Sequence, residues 1–71
     1  MTRDERLAWA KERALEYVHR GDLAGAVGSM SSDLTKHPET NNETTRFLGS
    51  IGIMEIHYGR QAVIDWINGF N

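Results

Sequence analysis

Seventy-one residues, 39% hydrophobic and 25% charged with a net charge of −2, describe one small globular domain over residues 1–71 and exclude both a second domain and a disordered or strongly polyanion-seeking chain. The absence of cysteine excludes a disulfide framework, a thiolate nucleophile and a cysteine zinc site, and fits a reducing, cytoplasmic setting. A chain this short hides only about 60% of the surface it exposes unfolded, so its stability is marginal unless a partner surface contributes.

The N-terminus, Met-Thr-Arg-Asp-Glu-Arg, mixes acids with bases and is followed by no apolar run, so neither a signal peptide nor a transit sequence is expected. No apolar run is long enough to span a bilayer. Thr2 and Glu5 match a capping box, which starts a first helix at about residue 3. At about 100° per residue, Leu7, Ala10, Ala14, Leu15, Tyr17 and Val18 gather on one broad face, and Gly21 is placed to stop the helix in the left-handed conformation. Asp22 then caps a second helix whose Leu23, Ala26, Val27, Met30 and Leu34 form a narrow apolar stripe. Pro38 ends it. The short link makes these two helices an antiparallel hairpin.

The polar run 37–43 is the one clear connector. Thr40 with Glu43 repeats the capping-box spacing, and Asn42 offers a second cap, so a third helix begins at about 41–43. Its main stripe is Phe47, Ile51, Met54 and Tyr58. Ile53 and Ile56 point to the opposite side, beside Gly49 and Gly52. A helix apolar on two faces belongs in the middle of a structure or against a partner, because one layer of neighbours cannot cover both. After Gly59, Ala62, Val63, Trp66, Ile67 and Phe70 mark a short fourth helix over 60–68. Two-residue alternation never persists, so no sheet is expected. The predicted fold is all-α: three main helices and a short C-terminal one, around Leu7, Ala14, Val18, Leu23, Val27, Met30, Leu34, Phe47, Ile51, Met54, Tyr58, Val63, Trp66 and Ile67.

Chemistry-bearing patterns are few. His19, His37 and His57 stand about twenty residues apart, without the i, i+3 or i+4 spacing of a metal site. Ser29, Ser31, Ser32, Asp33 and His37 contain the residue types of a hydrolase, but no strand-to-helix elbow holds a serine out and no oxyanion site accompanies them. Asp33 reads instead as a local hydrogen-bonding group, or as a charge facing Lys36. Gly21, Gly25 and Gly28 do not form a phosphate cradle. No enzyme, metal or cofactor is expected.

Two surfaces stand out. Arg6, Arg13 and Arg20, seven apart, form one stripe on the first helix with Trp9 beside it, the composition of an interaction hot spot. Two other readings fit the same residues: a solvated face with ion pairs such as Glu16 with Arg20, or a Trp9 covered by the fourth helix. A stacked base or nucleotide on Trp9 is the alternative functional class. Residues 1–20 carry five bases against four acids, and 21–71 three against six, so the clustered basic excess that nucleic acid selects is missing. A helix-turn-helix reader is disfavoured too, because the third helix would present apolar side chains to base edges. The second surface is the outer face of the second helix, Gly25, Gly28, Ser29 and Ser32. Small residues let another backbone approach, that of a second chain or of the third helix through Gly49 and Gly52. Should both Ile53 and Ile56 be exposed, Gly49, Gly52, Ile53 and Ile56 would form an oligomer face.

Ala14, Tyr17, Gly21, Ala26, Met30 and Pro38 fall at the relative spacings of a tetratricopeptide repeat, so the hairpin over about 14–38 resembles one such repeat in geometry. It departs at Ala10 and Arg13, where the family has tryptophan and leucine, and at Asp33, where it has alanine. No second copy follows, and a solenoid needs several. Over most of its length, through Arg13-Ala-Leu-Glu-Tyr17, Gly21-Asp-Leu23, Ser32-Asp-Leu-Thr-Lys-His-Pro-Glu-Thr40 and the ending Gly69-Phe-Asn71, the chain resembles short uncharacterised proteins encoded in tailed-bacteriophage genomes. That resemblance implies a host bacterial cytoplasm and a small accessory role in which a host protein is bound and redirected. The function expected of the chain is a non-enzymatic interaction protein that binds a host or viral protein through Trp9 and the arginine stripe or through the small-residue face of the second helix, with self-association as part of the same picture.

Overall fold

The capping box forms as its sequence requires. In the computed structural model, which describes residues 2–70, the Thr2 hydroxyl accepts from the Glu5 amide and the Glu5 carboxylate accepts from the Thr2 amide, opening α1 (Arg3–His19). Gly21, at φ 81°, ends it: the Gly21 amide donates to the Val18 carbonyl and the Asp22 amide to that of Tyr17. These two bonds are a Schellman closure, which only a left-handed residue completes without strain. The Asp22 carboxylate then accepts from the Gly25 amide at 2.8 Å and starts α2 (Leu23–Thr35).

The connector resolves the two cap candidates. Asn42 caps α3 (Glu43–Glu55), accepting from the Thr45 amide at 2.9 Å. Thr40 faces the other way: it is buried, and its hydroxyl donates to the Leu34 carbonyl at 2.6 Å, closing the end of α2. Buried acceptors at a helix end need such a partner. A 3₁₀ turn (Ile56–Tyr58) and Gly59, at φ 95°, turn the chain into α4 (Arg60–Asn68). No strand occurs among the described residues. None of their helices is long and apolar enough to cross a membrane.

α1 and α2 share the largest interface, and α4 lies against both. The core is Leu7, Ala10, Ala14, Val18, Ala26, Val27, Met30, Leu34, Val63, Trp66, Ile67 and Phe70. Leu23, Ile51 and Ile56 pack against its edge, half-buried.

α3 departs from expectation. It packs on α2 and α4 and does not meet α1. Its large apolar stripe, expected inside, is outside: Phe47 is 66% exposed, Met54 62% and Tyr58, just beyond its end, 75%, with Ile53 at 61% on the flank. What α3 buries is Gly49 and Gly52, which lie roughly opposite Phe47 and Met54 at about 100° per residue. The Trp66 indole explains the rotation. A Cβ on Gly52 would collide with it, Cε2 lying 2.7 Å from that position, and the indole N–H donates to the Leu48 carbonyl at 2.8 Å. Phe70 backs the ring edge-on, with centroids 5.1 Å apart at 84°. A bulky ring thus finds a flat place on α3 only where side chains are missing, and that choice turns Phe47, Met54 and Tyr58 outward.

Candidate functional site

The three arginines of the stripe, Arg6 and Arg13 on α1 and Arg20 at its C-cap, each find a partner within the chain. Arg6 donates through Nε to the Glu39 carboxylate of the connector. The Glu39 carboxyl is held below its usual range, first by its own backbone amide and then by Arg6. Arg13 donates through Nε to Asp33 Oδ2 at 2.8 Å, while its guanidinium carbon lies 4.8 Å from the centre of the Trp9 ring. Arg20 stacks over Tyr17 at 4.6 Å. The stripe is therefore an edge where α1 is fastened to α2 and to the connector, with Trp9 half-buried under Arg13.

Asp33 is the unusual member of that edge. Its side chain is 1% exposed, between Arg13 and Lys36, whose Nζ is 3.8 Å from Oδ1. Both local roles expected of it are realised together, and a buried carboxylate requires such company. Arg13 and Asp33 are also two of the positions at which the hairpin departs from the tetratricopeptide pattern. They touch each other.

The small-residue face of α2 divides. Gly25 sits where a side chain would strike the capping Asp22 carboxylate and the Tyr17 ring, 2.8 Å away, so the cap itself occupies that space. Gly28 has open space around it. Ser32 is exposed, and Ser29 is half-buried with its Oγ enclosed and without a hydrogen-bond partner. The close approach of α3 to α2 comes at Ser31 instead, whose Oγ lies 2.9 Å from where a Gly49 Cβ would stand.

Of the expected oligomer residues, Gly49 and Gly52 are buried within the chain, Ile56 is half-buried and Ile53 is exposed. The exposed apolar face of α3 is made by Phe47, Met54 and Tyr58, all three expected in the core, with Ile53 exposed on its flank. The available signal was Gly49 and Gly52, three apart on a helix otherwise rich in large apolar residues.

Grooves and polar clusters add little. One of about 480 Å³ runs along α1 alone, between Lys11, Leu15 and His19. Another, about 310 Å³, lies between the start of α3 and Phe70. Among the described residues no three His, Asp or Glu side chains are grouped to hold a metal ion. Compared with protein-family models, with curated proteins and with solved structures, the chain matches none.

Proposed function

We propose that this is a non-enzymatic interaction protein that acts by burying the outer face of α3 against another protein surface. One observation carries the reading: three large apolar side chains on one face, Phe47, Met54 and Tyr58, are each more than 60% exposed along one helix and its 3₁₀ extension, with Ile53 as exposed on the flank. Single exposed apolar residues are ordinary, but three in line on one helix face of a small protein are the mark of a contact surface. The Trp9 and arginine edge supports the reading less, because its charged groups are already engaged with Glu39, Asp33 and Tyr17. Nucleotide or nucleic-acid binding draws no support from it for the same reason. The resemblance to short bacteriophage proteins supplies the proposed setting, a bacterial cytoplasm in which an accessory protein redirects a host protein.

The test is association of the purified chain, with bacterial lysate proteins or with itself, against two variants. A Phe47→Glu, Met54→Glu double variant should lose association while keeping the circular dichroism melt of the parent. If instead the double variant associates normally and Trp9→Ala does not, the working surface is on α1 and the reading is wrong.

A further inference from the structure

We infer that Asn68-Gly69, at the end of α4, is a site of spontaneous modification. The Asn68 amide deamidates through a succinimide with water as the co-reactant, the closed end of α4 restrains the reaction, and its product loosens the contact of Phe70 with Trp66. The inference is independent of what covers the α3 face.

Chemistry selects the pair. The Gly69 backbone nitrogen attacks Asn68 Cγ: the new N–C bond forms as the Cγ–Nδ2 bond breaks, and ammonia leaves with the proton that the Gly69 amide gives up. Water then opens the imide at either carbonyl. Opening at Cγ leaves aspartate, whereas opening at the main-chain carbonyl leaves isoaspartate, whose backbone runs through Cβ and Cγ and is one methylene longer. A side chain on the following residue crowds the attacking nitrogen, and glycine has none. Asn41 and Asn42 are followed by Asn42 and Glu43, and Asn42 is engaged as the cap of α3, so both stay amides. Asn68 and Gly69 are exposed to the water that the second step consumes. Backbone geometry does not account for the glycine. Gly21 and Gly59 have positive φ, but Gly69 stands at φ −77° and ψ −13°, right-handed helical values open to any residue.

The fold opposes the first step. The Gly69 amide donates to the Asp65 carbonyl at 3.0 Å and to that of Trp66 at 3.2 Å, so the nitrogen keeps its proton, directed back along α4. This end of the helix is held, because Phe70 beyond it is buried and its ring backs Trp66 edge-on at 5.1 Å. Ring closure therefore waits for the last turn of α4 to open, a local event that costs less than global unfolding. The isoaspartate product then works against reclosure. Its extra methylene inserts ~1.5 Å of main chain just before Gly69 and Phe70. Its carboxylate stands at the negative end of the α4 dipole, in the same last turn as Asp65. Phe70 is displaced from Trp66, and the indole seated over Gly52 loses its backing.

Peptide mapping by mass spectrometry, on chain aged in mildly alkaline buffer with and without guanidinium chloride, tests this. The unfolded chain should show the mass gain of an amide turned to an acid at Asn68 and not at Asn41 or Asn42. The native chain should gain it about tenfold more slowly or less, since the turn must first open. Phe70→Ala, which frees the end of α4, should bring the native rate toward the unfolded one, and Asn68→Gln, which would need a larger ring, should abolish the reaction in both. The isoaspartate product, separated by ion exchange, should melt on the order of 5 °C below the parent. Asn68→Asp, with the charge but not the extra methylene, should fall by less. An unfolded chain that keeps the Asn68 amide, a native chain that loses it as fast as the unfolded one, or a Phe70→Ala variant no faster than the parent overturns the inference. So does an isoaspartate product that melts with the parent, or an Asn68→Asp variant that falls as far as that product.

Discussion

Met30 on α2 and Met54 on α3 are the same side chain on helices of thirteen residues each, yet one is fully buried and the other 62% exposed. On α2 the apolar stripe is the narrow, conventional one, and α1 and α4 close over it. On α3 the apolar residues outnumber the neighbours available to cover them, and the glycine side wins the interior because it alone admits the Trp66 ring. Hydrophobicity thus chose the buried face on α2, whereas shape chose it on α3.

Truncating the two methionines breaks that comparison most sharply. Met30→Ala leaves a cavity among fully buried neighbours and should cost about 3 kcal/mol, lowering the midpoint of thermal unfolding by on the order of 15 °C. Met54→Ala should stay within about 0.5 kcal/mol when the chain is dilute enough to be monomeric. Circular dichroism melts of both at low micromolar concentration check this. Equal losses would mean that Met54 is covered in the monomer and that the contact face does not exist.

The hairpin edge offers the next largest effect. Arg13→Ala strips the nearest cation from a carboxylate that is 1% exposed, leaving it Lys36 at 3.8 Å. Removing one member of a buried pair costs about 3–5 kcal/mol when both are enclosed. Because the Arg13 side chain is 45% exposed, about 2 kcal/mol is expected here, read as a fall in urea midpoint at unchanged m-value. Asp33→Ala should cost less, since the released guanidinium can turn into water. The reverse order would show that Asp33 matters through its own burial and Lys36 and not through the Arg13 ion pair.

How much of this was legible in the residues follows from the same contrast. Helix limits could be read because they are local: Thr2 with Glu5, Gly21 with Asp22, and Asn42 are each within a few residues of the groups they satisfy. The cores of α1, α2 and α4 could be read because one face of each is clearly more apolar. The orientation of α3 could not, since Phe47, Met54 and Tyr58 signal burial more loudly than Gly49 and Gly52, and periodicity carries no information about the shape of what arrives. The Arg13 to Asp33 contact was hidden for a related reason: each residue looked ordinary on its own helix, and only the hairpin register, twenty residues apart, makes them a pair. Thr40 was misread as a cap for the helix after it because its spacing to Glu43 is right, whereas the orphan carbonyl it satisfies lies behind it at Leu34.

Two glycine substitutions probe the seat of Trp66 with the smallest effects. Both Gly28 and Gly52 are interior to helices, so alanine at either adds about 1 kcal/mol of intrinsic helix preference. At Gly28 nothing lies within 4 Å of the new methyl, and the gain should appear almost whole. At Gly52 the methyl must displace an indole that Phe70 backs and the Leu48 carbonyl holds, and overpacking of this kind costs about 1–3 kcal/mol. The expected net result is a loss of about 1 kcal/mol at Gly52 against a gain of similar size at Gly28, measured as opposite shifts in urea midpoint. Should Gly52→Ala stabilise as Gly28→Ala does, Trp66 would not be seated on α3, the reason for its rotation would disappear, and Phe47 and Met54 would be free to turn back toward the core.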